Sequence, residues 1–311
     1  MPVNTVLGPL SPDQLGTTAM HEHLQWGPAG WQIDARWWFD PQRRFDVCRA
    51  KLAEFAARGG SALVDLSGVG FGRDIPLYTA LSRATGVHII ACTGFWAGEG
   101  IEPYFLRQDR GYLQDLFTME VTQGIGGSGV RAGIIKVGNA HTGFTPFEEE
   151  LYRAAASVSR ALGVAITTHG SSRARDQARI LLDAGVDPSR VVIGHLDAKY
   201  ALDFDRDKEL AAQGFYIGYD HVGMEPWSDR PYALLDEERA GFCRDLIDAG
   251  YADHLIVSCD ASAWGLGRPT PLNRVGHLLR FVDTLRRHGL DEPTLNRVFV
   301  DNPRRVLTLK G

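Results

Sequence analysis

The chain has 311 residues, of which 44% are hydrophobic and 23% charged, and its formal net charge is −5. That balance describes a folded domain with a large core, and it leaves no basic field to hold a nucleic acid. No run of about 18 apolar residues is present to cross a membrane, MPVNTVLGPL reads as no secretory leader, and Cys48, Cys92, Cys243 and Cys259 form no CxxC pair, so a reducing cytoplasm is expected.

In chain order, the first apolar run, Thr18–Leu24, reads as a strand, and Arg43–Arg58 follows as a helix with Phe45, Cys48, Leu52 and Phe55 at helical spacing. Strands are expected at Ala62–Ser67 and His88–Phe95, and the segment from Glu99 to Gly124 is expected to be mostly helical. A strand at Ala132–Val137 precedes a helix over Phe147–Leu162. Pro146 and the acidic Glu148, Glu149 and Glu150 favour that helix start. The alternation continues with strand Ala165–His169, helix Arg175–Ala184, strand Val191–Leu196 and helix Asp207–Gln213. It ends with strand Phe215–Tyr219, helix Glu237–Ala249, strand Leu255–Cys259 and helix Asn273–Arg287. Eight strands rich in Val, Ile and Leu, alternating with helices, predict one closed parallel (β/α)8 barrel, a TIM barrel, as a single domain over residues 1–311. An open doubly wound sheet is the competitor, yet no GxGxxG or GxxxxGK[ST] loop follows Leu24.

Polar residues interrupt these strands at one end. His21 and His23 are two apart, so strand geometry puts both on one face. Lys136 closes Gly133-Ile134-Ile135, His169 ends Ile166-Thr167-Thr168, His195 ends Val191–Gly194, and Asp260 ends Ile256–Cys259. Each alone has a bland explanation: an incidental pair, a satisfied histidine, a lysine reaching solvent, a helix cap. Together they bring five strands to one rim, the C-terminal face where barrel active sites lie. Neutral imidazoles and a carboxylate suit zinc or a similar divalent ion. Protonated lysine has no lone pair, but a buried amine loses its charge more readily and can take up carbon dioxide as a carbamate. A carbamate is a bidentate anion able to bridge two metal ions.

These motifs resemble the phosphotriesterase-like branch of the amidohydrolase superfamily. The resemblance rests on Thr5-Val6-Leu7-Gly8-Pro9, Leu15-Gly16, Met20-His21-Glu22-His23-Leu24 and Gly72-Arg73-Asp74. It continues through Ile135-Lys136-Val137, Ile166–His169, Gly194-His195-Leu196-Asp197, Asp260 and Asn302-Pro303-Arg304-Arg305-Val306-Leu307. It implies a binuclear hydrolase with two divalent ions, zinc first, bridged by carboxylated Lys136 and a hydroxide. His21, His23 and Asp260 would hold the more buried ion, and His169 and His195 the more exposed one. Asp260 would take the proton as the bridging hydroxide attacks an ester-like bond. A homodimer is implied as well.

Substrate contacts are expected from the loops after the strands: Phe95 and Trp96, Tyr219 and His221, Trp264 and Arg268, with His141 beyond Lys136. Only Arg268, Arg230 or Lys199 offers a phosphate site, and the aromatic content favours an apolar small-molecule substrate. Trp96 and Asp220-His221 resemble the organophosphate-hydrolysing members. Cys259 is expected to be a buried neighbour of Asp260. The expected reaction is hydrolysis of a lactone, carboxylic ester or phosphotriester. The alternatives are N-acyl amide hydrolysis and a non-catalytic metal-binding protein.

Overall fold

A computed structural model describes residues 1–97, 100–140, 142–225, 233–270 and 275–310. His141, Arg230, Glu99 and Asn273, each named above, lie outside the described residues. An antiparallel hairpin, β1 (Val3–Thr5) and β2 (Gly8–Leu10), precedes β3 (Thr18–Trp26) and α1 (Pro41–Ala57). There follow β4 (Ala62–Asp65), α2 (Ile75–Thr85), β5 (His88–Gly94), α3 (Arg110–Thr122), β6 (Ile134–Gly138) and α4 (Pro146–Leu162). Next come β7 (Ala165–His169), α5 (Ala174–Asp183), β8 (Val191–Ile193), α6 (Phe204–Ala212), β9 (Tyr216–Tyr219) and α7 (Asp236–Leu246). The chain ends with β10 (Leu255–Val257), β11 (Ala261–Gly265), β12 (Arg268–Pro269), α8 (Gly276–Arg287), α9 (Glu292–Asn296) and α10 (Asn302–Leu307).

Strands β3 to β10 pair in sequence order, all parallel. The eighth strand is broken. Its first half, β10, pairs with β9, and its second half, β11, pairs with β3 through Ala261–Glu22 and Ser262–His23. The ring closes across the break, and Asp260 sits in it. The expected TIM barrel is therefore present.

Two apolar layers divide by strand parity. Met20, Val64, Ile90, Ile134, Ala165, Val192, Tyr216 and Ile256 fill the barrel, and Val3, Leu15, Val306 and Leu307 seal its floor. Ile89, Ile135, Ile166, Ile193, Ile217 and Val257 face the helices. The chain ends are tied in by buried polar groups. Asn302 donates to the carbonyls of Ala252 and Leu255, and Arg190 donates to those of Gly163 and Val306. The Gly72-Arg73-Asp74 segment is structural too. Arg73 pairs with buried Glu120, and Asp74 caps α2 through Leu77 N–H.

Three sequence expectations are corrected. The sequence reading omits helix α2, although Ile75, Leu77, Tyr78, Leu81 and Ser82 form its buried face. Between residues 100 and 124 the main helix spans only Arg110–Thr122, since Asp109 caps it at Tyr112 N–H. Strands β8 and β10 stop two or three residues before His195 and Asp260, which take positive φ values of 61° and 46° and cannot continue a ladder.

Candidate active site

Parity brings the ligand candidates together. Lys136 follows barrel-filling Ile134 by two and His169 follows Ala165 by four within their strands, so both face the barrel axis, and Asp260 joins them from the break in the eighth strand. A register shift in β3 between Ala19 and Glu22 turns His21 and His23 inward after Met20. His21 Nε2 lies 3.0 Å from Lys136 Nζ and 3.9 Å from Asp260 Oδ1. His23 Nε2 lies 3.1 Å from the same oxygen, and His169 Nδ1 lies 2.7 Å from His195 Nε2.

This donor set fits divalent metal. Around tetrahedral zinc, with bonds of about 2.0–2.1 Å, neighbouring ligand atoms stand about 3.3 Å apart. The distances from Asp260 to His23 and His21, 3.1 and 3.9 Å, bracket that spacing. The 2.7 Å His169–His195 separation is that of a shared proton, and it has to open by about half an ångström for both lone pairs to reach one ion. Protonation states also fit. Burial, then the Lys136 charge, lowers His21 to about 3, and burial with His195 lowers His169 well below the usual imidazole range. Burial lowers Lys136 to about 8. Burial alone would raise Asp260, but the surrounding His23, His21 and His195 hold it well below the usual carboxylate range. His21, His169 and Asp260 therefore present free lone pairs at neutral pH, and Lys136 gains one as pH rises through about 8.

Buried partners aim these rings. One carboxylate, Asp220, takes His21 Nδ1 on Oδ2 and His195 Nδ1 on Oδ1, each at 2.8 Å, so it orients one histidine of each candidate subsite. It also accepts from His195 N–H at 3.0 Å, which supports that residue's left-handed backbone. Ser67 Oγ donates to Gln25 O and lies 2.8 Å from His23 Nδ1, so it accepts the ring N–H and turns Nε2 toward Asp260. Asp65 in turn accepts from Ser67 N–H, Leu24 N–H and Tyr78 Oη. His221 stacks on His195 with ring centroids 4.7 Å apart, and its Nδ1 is 3.1 Å from Asp197. Burial alone would raise Asp197, but His221 and the buried Arg239, whose Nε donates to it at 2.6 Å, hold it below the usual carboxylate range.

Above the donors lies a cavity of about 230 Å³, lined by Trp26, Phe71, Trp96, Met224 and Ser262 with His21, His23, His169, His195 and Asp260. Trp26, Phe71 and Trp96 stack in a row, with centroids 5.9 and 4.7 Å apart and interplanar angles of 27° and 25°. A larger cleft of about 840 Å³, bearing Arg83 and Arg131, lies between the N-terminal hairpin and α2, but it holds none of the converging donors.

Of the expected substrate contacts, Trp96 is in the cavity wall. His221 lies below the wall, within 4.8 Å of Asp260 and His195. Four others lie outside that cavity lining. Phe95 shares the parity of Ile89 and Ala91 and packs against Phe105, Phe117 and Phe147 on the helix side. Tyr219 is one residue out of phase with Asp220, and its hydroxyl donates to Asp207. Trp264 is buried against Phe39, and Arg268 is exposed over the Trp37 ring. Replacement Phe95→Ala is accordingly expected to cost about 3–5 kcal/mol of stability while leaving KM unchanged, as chemical denaturation and steady-state kinetics would show. Sequence reasoning missed Trp26 and Phe71, although both stand near rim ends of strands, Phe71 directly before Gly72-Arg73-Asp74. It also gave no role to Asp220, Ser67 or Glu22. Parity counted outward from the ligands would have flagged Asp220.

Comparison with known proteins agrees with this geometry. The sequence profile of the phosphotriesterase family matches residues 1–307. A "phosphotriesterase homology protein" of Mycobacterium tuberculosis is 32% identical over 99% of this chain and 98% of its own length. An N-acetyltaurine hydrolase of Tetraodon nigroviridis is 30% identical over 99% of this chain and 98% of its own. The crystal structure of a variant of a phosphotriesterase-like lactonase from Deinococcus radiodurans superposes with a TM-score of 0.91 at 31% identity, covering 98% of this chain and 100% of that one. Barrel, rim donors and full-length matches agree, and the chain belongs to the phosphotriesterase family of metal-dependent hydrolases.

Proposed function

We propose that the chain hydrolyses neutral ester-like substrates, a lactone, carboxylic ester or phosphotriester, at two divalent ions held by its barrel rim. The supporting observation is the convergence of His21, His23, Lys136, His169, His195 and Asp260 beneath an aromatic wall. His21, His23 and Asp260 would hold one ion, His169 and His195 the other, and Lys136 would join them as a carbamate. Its neutral amine adds to carbon dioxide and releases one proton in that reaction. When bound, such a pair, zinc first, supplies Lewis acidity at the scissile bond and acidifies a water nucleophile.

The chain's own residues carry the rest. Asp260, kept ionised, accepts the proton of the attacking water. His221, within 4.8 Å and backed by Asp197 and Arg239, would relay that proton by releasing its own to solvent, since against burial Asp197 pushes its imidazole up to about 9. The Trp26–Phe71–Trp96 row offers a flat apolar face to an aryl, alkyl or lactone group. Cys48, Cys92, Cys243 and Cys259 are buried and form no disulfide among the described residues, which supports a cytoplasmic setting.

Amide hydrolysis is the second reading, favoured by the relative named N-acetyltaurine hydrolase. Against its sulfonate stands the cavity lining, which among the described residues carries no lysine or arginine. A panel of aryl esters, lactones, phosphotriesters and N-acetyl amino compounds separates the two. Turnover of the neutral esters is expected, with KM rising about tenfold on Trp96→Ala and kcat nearly kept, the scale of losing one aromatic contact. Turnover of anionic N-acetyl compounds alone would overturn the ester reading.

A further inference from the structure

The middle residue of His21-Glu22-His23 is neither a ligand candidate nor a wall residue. Alternation turns its side chain away from the axis, into the seam where β3 meets the broken eighth strand. There its buried carboxylate takes three donors. Glu22 Oε1 accepts from Ser258 Oγ at 2.7 Å and from Cys259 N–H at 3.0 Å, and Oε2 accepts from Ala261 N–H at 2.8 Å. The amide left between them, Asp260 N–H, donates to His21 O at 2.9 Å. Ser258 Oγ returns the link by accepting from His21 N–H at 2.9 Å. Three consecutive amides, 259 to 261, are thus held by two consecutive residues of β3.

Asp260 stands at the centre of this bracket with φ 46°, a conformation that L side chains rarely adopt. It is that backbone turn which sends its carboxylate to His23 and His21. His195, the other left-handed ligand candidate, is braced by a buried carboxylate in the same way, through Asp220. A glutamine at position 22 would set an NH2 group against one of the donors, and an apolar residue would leave all three unmet.

We propose that Glu22 is a positioning residue: its carboxylate clamps residues 258–261 and holds Asp260 in the left-handed conformation that lets it serve the metal pair. The assignment rests on the hydrolase reading given above. Its test compares wild type, Glu22→Gln, Asp260→Asn and the double variant. The expected results are a 10- to 100-fold loss of zinc affinity for Glu22→Gln and a fall in kcat at unchanged KM. In the double variant, little further loss beyond Asp260→Asn is expected, because both changes disable one group. Losses that multiply, or a lower Tm with zinc affinity and kcat intact, would overturn the proposal. A crystal structure of metal-free Glu22→Gln gives a readout independent of the metal. Asp260 is expected to leave positive φ and move beyond 4 Å from His23, and an unmoved Asp260 would refute the clamp even if wild type bound no zinc. Should Glu22→Gln fail to fold, Ser258→Ala, which removes one donor and the acceptor for His21 N–H, is expected to show the same pattern at smaller size. No change in zinc affinity and an unmoved Asp260 in that variant would refute the proposal equally.

Discussion

Replacing Lys136 by alanine is expected to lower kcat/KM by about 10³-fold, the scale of losing one metal's Lewis-acid contribution of several kcal/mol. The same variant is expected to hold about one equivalent of zinc instead of two. The physical case lies in the placement of the amine. Lys136 is fully buried on the barrel axis, 3.0 Å from His21 Nε2, where the attraction of Asp260 and Asp220 for an ammonium ion does not offset burial. Burial lowers its pKa from 10.5 to about 8, so the neutral amine grows as pH rises and becomes the main form above that value. Only this form reacts with carbon dioxide. Reconstitution of the metal-free protein at fixed dissolved carbon dioxide is therefore expected to accelerate up to about pH 8 and then level off. Acetate or propionate, which can occupy the space left by the side chain, is expected to restore part of the Lys136→Ala activity. Rates indifferent to pH and to carbon dioxide would assign Lys136 a purely structural place.

Asp260→Asn is expected to reduce kcat by about 10²- to 10⁴-fold at saturating zinc, with KM little changed, because the change removes a proton acceptor and leaves the wall intact. The carboxylate is held ionised by the imidazoles around it, and the amide of asparagine cannot accept the proton. His221→Asn is expected to fall less, about tenfold, since solvent can replace a proton carrier but not the acceptor itself. Steady-state kinetics on aryl esters at controlled zinc reads both. A metal-binding protein without catalysis would show no rate to lose, and a rate kept in Asp260→Asn would move the acceptor role to another group.

The barrel was legible because parallel strands buried on both faces carry long runs of Val, Ile and Leu, as in Val191-Val192-Ile193 and Gly133-Ile134-Ile135. The ligand candidates were legible because each breaks such a run at the same end. What the sequence hid follows from parity and from breaks in the ladder. Tyr219 and Asp220 are adjacent, yet one faces α6 and the other faces two histidines, so choosing the aromatic residue of the pair misplaced the site by one position. Phe95 and Trp96 divide in the same manner between the helix layer and the cavity. Trp264 appears to the eye of composition as one more rim aromatic, but β11 closes the ring on β3 and buries it. That closure runs through Asp260 at positive φ, which no residue type other than glycine announces in advance. What the buried acids Glu22, Asp65, Asp197 and Asp220 brace was equally hidden, because the partners lie elsewhere in the chain.

The central claim, two metal ions joined through a modified lysine, is tested most directly by a crystal structure of the protein grown with zinc and bicarbonate at about pH 8, where burial leaves the Lys136 amine reactive. The predicted result is two zinc positions, one against His21, His23 and Asp260 and one against His169 and His195, both touching extra density on Lys136 Nζ. An unmodified Lys136 turned away from the histidines, with no zinc among them, would contradict it.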